Sequence, residues 1–344
     1  MQNIPQTALV LGATGGIGGE VARRLLAAGW SVRALRRGEP PAGGASGGIG
    51  WSRGDAMQAG DVMRAAEGCS VIVHAVNPPG YRDWDRLVLP MLDNTIAAAL
   101  ARQATIVLPG TVYNFGPDAF PVLREDAPQN PLTRKGRIRV QMEQRLEAAT
   151  RGAHGARAIV VRAGDFFGPR PGSSWFSQVM VRPGRAVGGI ARPSTPGIGH
   201  QWAYLPDVAA TMVALIGRRE TLEPFARFHM DGHWDADGLQ VAQAVQRVVA
   251  AHTGKAPPIR PLAWWLLRLA APFVTTLRES MEMRYLWRQA VRLDNRRLLE
   301  VLGHEPRTPL DTAIETTLRG LGCLPATDRV EPDKTLSRPV PAAE

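Results

Sequence analysis

The chain has 344 residues, 44% of them apolar and 21% charged, which excludes a mainly disordered or fibrous protein and suits one large α/β unit with an added lobe, or two domains of about 150 residues each. Its two cysteines, Cys69 and Cys323, cannot build a disulfide framework, and without a Cys/His cluster at ligand spacing no metal site is expected. The formal charge of +10 rests on 38 Arg against 3 Lys (Lys135, Lys255 and Lys334), a skew that reads as genome composition and leaves nucleic-acid binding a minority reading.

The opening MQNIPQTALVLGATGG has no basic region ahead of an apolar run, so a signal peptide is not expected. It enters a strand (TALVLG), a glycine turn, a helix from Gly16 to Ala28 and a second strand (SVRALR). Gly38 to Gly50, GEPPAGGASGGIG, reads as a flexible loop by composition. Ser70 to Ala75 and Thr105 to Leu108 read as buried strands around an alanine-rich helix from Trp84 to Gln103, and a helix from Arg137 to Thr150 leads into a strand at Ala158 to Arg162. Strands alternating with helices predict parallel βαβ units, here an α/β doubly wound parallel sheet of about six strands.

Beyond Gly164 the periodicity weakens, and Gly, Pro and Arg dominate to His200, which predicts the start of a smaller, mainly helical C-terminal lobe. Helical patterns return at Pro206 to Ile216, at Gly238 to His252 and in segments from Leu262 to Leu321; from Pro325 a disordered tail is expected. The apolar stretch Leu262 to Leu277 is broken by Arg268 and Pro272 and falls short of the ~20 residues that span a bilayer. A soluble, cytoplasmic protein without a membrane partner is the expectation.

GATGGIG places Gly12, Gly15 and Gly18 between a strand and a helix, with Thr14, Gly16 and Ile17 in the same turn. Side chains there would block the tight turn, the approach of backbone amides to a diphosphate and the packing of helix on strand. The helix N-terminus adds unpaired amides and a partial positive charge.

With this GxxGxxG spacing, with Gly54 and Asp55 after the third strand, and with HAVNPP, GTVYNFGP, RAGDFFGP and WAYLPDVA further on, the chain resembles the extended or atypical short-chain dehydrogenases/reductases, the NAD(P)-dependent epimerase/dehydratase group, over about residues 7 to 322. The resemblance implies a Rossmann domain over 1–165, with a return of about 200–217, a substrate lobe over 166–324 and the tail at 325–344. It implies that Asp55 and Ala56 hold the adenine and that Ala75, Val76 and Ala163 also line the cofactor. Where the family carries an acid for the ribose of NAD, this chain has Arg36 and Arg37. Two guanidiniums suit a 2′-phosphate, so NADP(H) is expected over NAD(H), the alternative being a solvated basic loop.

The family's catalytic Tyr-x-x-x-Lys pair is replaced in PLTRKGRIRVQMEQ, where Lys135 falls on the tyrosine position and Arg139 on the lysine position. The usual hydroxyl of the fifth-strand motif becomes Pro109, with Thr111 and Tyr113 close by. Three readings stay open: Lys135 donates the proton while Thr111 or Tyr113 orients the carbonyl; Lys135 and Arg139 hold cofactor without doing chemistry; or both belong to an exposed helical face.

Seven arginines (151, 157, 162, 170, 182, 185, 192) against Asp165 in the segment before Trp202 favour an anionic substrate, with a solubilising surface as the alternative. Asp165 and Phe166 fall where the family's nicotinamide sits, and Trp175 and Trp202 are candidates for an apolar wall. His74 reads as a core histidine, His229 and His233 lack a third metal ligand, and Trp264 and Trp265 read as core or an oligomer contact ahead of a membrane contact. A homodimer stays open. The expected function is NAD(P)-dependent redox or epimerase chemistry at a carbonyl or alcohol carbon of a small anionic substrate, with a non-catalytic NADP-binding sensor or scaffold as the rival.

Overall fold

The computed structural model describes residues 6–39, 45–78, 83–172, 174–271, 278 and 281–325. The expected tail lies, apart from Pro325, outside the described residues.

Among the described residues, fifteen strands follow in chain order: β1 Thr7–Leu11, β2 Ser31–Arg36, β3 Ala45–Ser46, β4 Ile49–Arg53, β5 Val71–His74, β6 Thr105–Gly110, β7 Val122–Leu123, β8 Arg157–Arg162, β9 Asp165–Phe167, β10 Ile190–Arg192, β11 His200–Tyr204, β12 Phe225–His229, β13 His233–Asp235, β14 Ile259–Pro261 and β15 Arg292–Leu293. The helices used below are α1 Gly16–Ala27, α2 Ala59–Ala65, α3 Trp84–Arg102, α4 Arg134–Ala149, α5 Leu205–Gly217 and α6 Gln240–Thr253.

The main sheet runs β12-β8-β6-β5-β1-β2-β4-β3, with seven strands parallel and only the two-residue β3 antiparallel at its edge. The one parallel strand beyond the expected six is β12 at the edge of the sheet, while the third strand, implied ahead of Gly54, is β4 between β2 and β3. In β4, IGWSR, only Ile49 is buried, and β12, FARFH, mixes its phenylalanines with Arg227 and His229. Part of the predicted Gly38 to Gly50 loop is therefore sheet.

Successive side chains of a strand point to opposite faces, and a sheet covered on both sides must be apolar on both. Ala8 and Val10 of β1 join α1, α5 and Phe228 in one core; Leu9 and Leu11 join residues of α2, α3 and α4 in the other. Burying each leucine-sized side chain is worth about 2 kcal/mol. A third core forms within residues 167–324, from Phe167, Phe176 and Trp202, from Val245 of α6, and from Trp287 and Ile314.

Helix α4 begins three residues before the expected Arg137, because Thr133 Oγ1 accepts the Gly136 amide at 3.0 Å and caps the first turn. Small boundary shifts place α5 at 205–217 and α6 at 240–253. Among the described residues, no helix is long and apolar enough to cross a membrane.

His74 ends β5 at 2% exposure. Thr95 Oγ1 donates to the Met91 carbonyl at 3.1 Å, so His74 Nδ1 donates to Thr95 Oγ1 at 2.8 Å. Burial, with the nearby Arg139 charge, lowers its pKa to about 3, and burial likewise lowers His229, and His233 to about 4. These rings stay neutral in the folded protein while the unfolded chain protonates them near pH 6.5, so stability is complete above that pH and falls as the pH drops below it. Thermal melts from pH 7.5 to pH 5 are expected to show the loss, with His74 alone contributing about 2 kcal/mol at pH 5, and His74→Gln is expected to shallow the slope.

Candidate functional site

The strand order turns back at β1, with β2 and β4 on one side and β5, β6 and β8 on the other. Open parallel sheets present their ligand crevice at the carboxyl ends of the strands at such a switch point. A cleft of about 1280 Å³ opens there.

Its floor is the glycine turn. Gly12 has φ +88°, and a Cβ on it would lie 2.5 Å from the Ala75 carbonyl oxygen; one on Gly18 would lie 2.3 Å from the Gly12 carbonyl. Glycine at both positions lets β1, α1 and the end of β5 meet backbone to backbone. The first helical bond of α1 runs from the Gly19 amide to the Gly15 carbonyl at 3.0 Å, so the amides of Gly16, Ile17 and Gly18 have no acceptor within the helix. The first turn carries no acid. These features fit an anionic diphosphate. Gly12, Thr14, Gly15, Gly16 and Ile17 line the cleft, whereas Gly18 is buried beneath it in a packing role.

At the end of β2, Arg36 and Arg37 line the same cleft, the Arg36 guanidinium lying 5.9 Å from the Trp51 ring. Asp55 and Ala56 line the cleft too. The Asp55 amide donates to Asp61 Oδ2 at 2.9 Å, and Asp55 Oδ1 accepts the Met57 amide at 3.0 Å, which fixes the loop after β4. Ala75, Val76 and Asn77 follow β5 along the wall, with Arg139 Nη2 donating to Asn77 Oδ1 at 3.4 Å. Ala163 is buried in the core and does not reach the cleft lining.

At the far end stand Thr111, Tyr113 and Arg139. Their loop rests on a buried polar network. Arg162, fully buried at the end of β8, donates from Nε to the Thr111 carbonyl at 2.7 Å, from Nη1 to His229 Nε2 at 2.6 Å and from Nη2 to Glu143 of α4. Glu143 also accepts from Asn114 Nδ2 at 2.9 Å and Gln129 Nε2 at 2.8 Å. His229 Nδ1 donates to the Leu123 carbonyl at 3.1 Å, which leaves Nε2 as the acceptor for Arg162.

The structure corrects the exposed-face reading of α4, since Lys135 is 1% and Arg139 7% exposed. Nor does Lys135 line the cleft with Thr111 and Tyr113. Its Nζ donates to Glu282 Oε2 at 2.9 Å, while Glu282 Oε1 accepts the Arg134 amide at 2.6 Å, so Glu282 clamps its segment onto the start of α4.

Asp165 and Phe166 line the cleft, and Asp165 Oδ2 meets His200 Nε2 at 2.8 Å. The His200 ring stacks on Trp287 with centroids 3.7 Å apart. Trp175 lines the cleft, but Trp202 is 1% exposed and belongs to the third core. The arginine count also needs correction. Arg162 is buried, Arg157 donates to the Arg219 and Leu222 carbonyls, Arg170 pairs with Glu20 at 3.2 Å and Arg151 with Glu147 at 3.8 Å. Of the seven, Arg182 lines the cleft. Among the described residues no group of three or more His, Cys, Asp or Glu is arranged to hold a metal ion.

Sequence reasoning missed Glu143 and His200, and counted Arg162 among the arginines for an anionic substrate although it is fully buried. No local signal marks a charge buried inside a strand or helix, but a histidine opening the run HQWAY before the matched WAYLPDVA was a usable hint. Glu143→Ala leaves the Arg162 charge buried without its carboxylate, and urea denaturation is expected to show a loss of about 3–5 kcal/mol. Unchanged stability would mean the pair carries no weight.

The sequence profile described as NAD dependent epimerase/dehydratase family matches residues 8–228. No protein of curated function matches the sequence. Among solved structures, the chain is similar to UDP-glucose 4-epimerase from Brucella ovis in complex with NAD, at 15% identity and TM-score 0.70, covering 92% of this chain and 98% of that one. It is similar to UDP-glucuronic acid 4-epimerase from Bacillus cereus in complex with NAD, at 15% identity and TM-score 0.69, covering 92% and 96%. UDP-N-acetylglucosamine 4-epimerase from Bacillus cereus gives 13% identity and TM-score 0.65, covering 90% and 97%. At these identities the likeness is one of fold, while the profile covers well over half of the chain: it belongs to the NAD-dependent epimerase/dehydratase family.

Proposed function

We propose that the chain is an NAD(P)-dependent oxidoreductase or epimerase acting at a carbonyl or alcohol carbon, and that it takes NADP(H) in preference to NAD(H). The observation that carries this reading is the continuity of one cleft from the glycine turn to Thr111, Tyr113 and Asp165. Gly15, Gly16 and Ile17 would hold the diphosphate, Asp55 and Ala56 the adenine, and Ala75 and Val76 the wall beside it. Arg36 and Arg37 would hold the ribose 2′-phosphate, with no carboxylate at those two positions to grip free hydroxyls. The similar epimerase structures are described with NAD, so this preference is a property of the two arginines and is tested at them. When bound, the nicotinamide gives or takes a hydride.

The chain itself must then move a proton. Arg36, Arg37, Arg139 and Arg182 line the cleft but stay protonated in proteins. Asp55 lies at the β4 end. Tyr113 and Asp165 are the remaining titratable side chains among the described lining residues. We assign Asp165, held by His200, as the group that takes the hydroxyl proton when the alcohol is oxidised and returns it to the oxygen when the carbonyl is reduced, and Tyr113 as the hydroxyl that hydrogen-bonds the reacting oxygen together with Thr111. Arg139, paired with Asn77, supports the wall beside the cofactor. Lys135 becomes a positioning residue that holds the Glu282 segment. The anionic character expected of the substrate reduces to one charge, met by Arg182.

Calorimetric titration with NADPH and NADH side by side tests the cofactor assignment. A preference for NADPH of roughly tenfold, about 1.4 kcal/mol, is expected, and replacing Arg36 and Arg37 by Ala should abolish it. Equal binding would retire the 2′-phosphate role, and binding of neither would retire the function. For a substrate found by loss of reduced-nicotinamide absorbance, Asp165→Asn is expected to lower turnover by about 10²-fold or more while cofactor affinity holds. Full activity would remove Asp165 from the chemistry.

A further inference from the structure

We infer that the half of the cleft beyond Asp165 is built for an apolar, ring-bearing alcohol or ketone and not for a nucleotide sugar. This deepens the redox reading above and rests on it. Trp175, Val179, Leu262, Trp264, Leu267 and Met281 line that half, drawn from three separate stretches of the chain. The Trp175 ring lies 5.8 Å from Trp264 and 5.2 Å from Trp287, so the wall is a packed aromatic corner. Trp264 Nε1 donates to the Pro193 carbonyl at 3.0 Å, which uses up its polar atom outside the cleft and leaves the ring as an apolar surface. The Arg284 guanidinium lies 5.2 Å from the same ring and stiffens it.

A nucleotide sugar carries two phosphate charges and a row of hydroxyls. Each loses water on entering and needs a partner inside. Among the described residues of this half, the polar lining is Ser174, Gln178 and Arg182, with Arg182 the single charge. That supply is too small for a diphosphate and a hexose. An apolar ring system needs no such partners and gains by leaving water for tryptophan, leucine and methionine surface. One polar point on the substrate, the reacting oxygen, is met at Tyr113 and Thr111; a second, if present, is met at Arg182.

The test uses the full chain saturated with NADPH, titrated in parallel with tetralone, a bicyclic aromatic ketone, and with UDP-glucose. Tetralone is expected to bind at least roughly tenfold more tightly, and Trp264→Ala to weaken tetralone by about tenfold while NADPH affinity is retained. Leu267→Gln, at a half-buried position, is the second variant should Trp264→Ala fail to fold, and it is expected to weaken tetralone in the same direction. Tighter binding of UDP-glucose, or tetralone affinity unchanged in a folded variant, overturns the inference and leaves the redox reading standing. Failure to bind either dinucleotide, with tetralone bound by the free protein, overturns the redox reading and leaves the apolar pocket.

Discussion

The arrangement of the far end of the cleft depends on one buried ion pair, Arg162 with Glu143. Taking two charges out of water costs several kcal/mol per ion and is offset only when every donor and acceptor is met. Here the guanidinium also reaches the Thr111 carbonyl and His229, and the carboxylate is shared with Asn114 and Gln129. Five segments are thereby held in one relation: β8, the loop after β6, helix α4, β12 and the stretch around Gln129. The Arg162 guanidinium also lies 4.8 Å from the Phe115 ring, closing the apolar side of the network. Thr111 and Tyr113 face the cleft from a loop whose backbone this network fixes.

The opposite end is held by backbone instead of charge. Gly12 and Gly18 bring β1, α1 and the residues after β5 closer than any side chain would permit. The two devices suit their tasks. A diphosphate is met by amides, which need close approach and no side chains, whereas a reacting carbon needs hydroxyls and carboxylates held in fixed directions. His200, stacked on Trp287 and bonded to Asp165, extends the second device into the C-terminal part of the chain. Family membership and the backbone approach at the glycine turn both point to a nicotinamide dinucleotide at that end of the cleft.

Much of the fold was legible in the sequence because its signals are local. The glycine turn, the apolar strands β1 and β5 and the long helix α3 can each be read from a window of a few residues. The edge strand β12 escaped because its run of Phe225, Ala226, Arg227, Phe228 and His229 mixes apolar with charged residues and has one neighbour in the sheet. At the candidate site the glycine turn was legible, because backbone requirements force glycine there. For the other half of the cleft the sequence left three readings of Lys135 open and carried no local signal for its pairing with Glu282, 147 residues away in the chain. Counting charge along the chain finds the arginines but cannot tell that Arg162 is buried, that Arg170 serves Glu20 and that Arg182 alone of the seven reaches the cleft.

Hydrogen–deuterium exchange of the full chain, with and without saturating NADPH, measures most directly whether one continuous cleft holds the dinucleotide from the glycine turn to the Asp165 end. Slowed exchange is expected at residues 12–18, 36–38, 55–57 and 75–77, and again at 111–113 and 165–166. Protection confined to segments away from the cleft, or absent from the 111–113 and 165–166 segments while the glycine turn is protected, would contradict it.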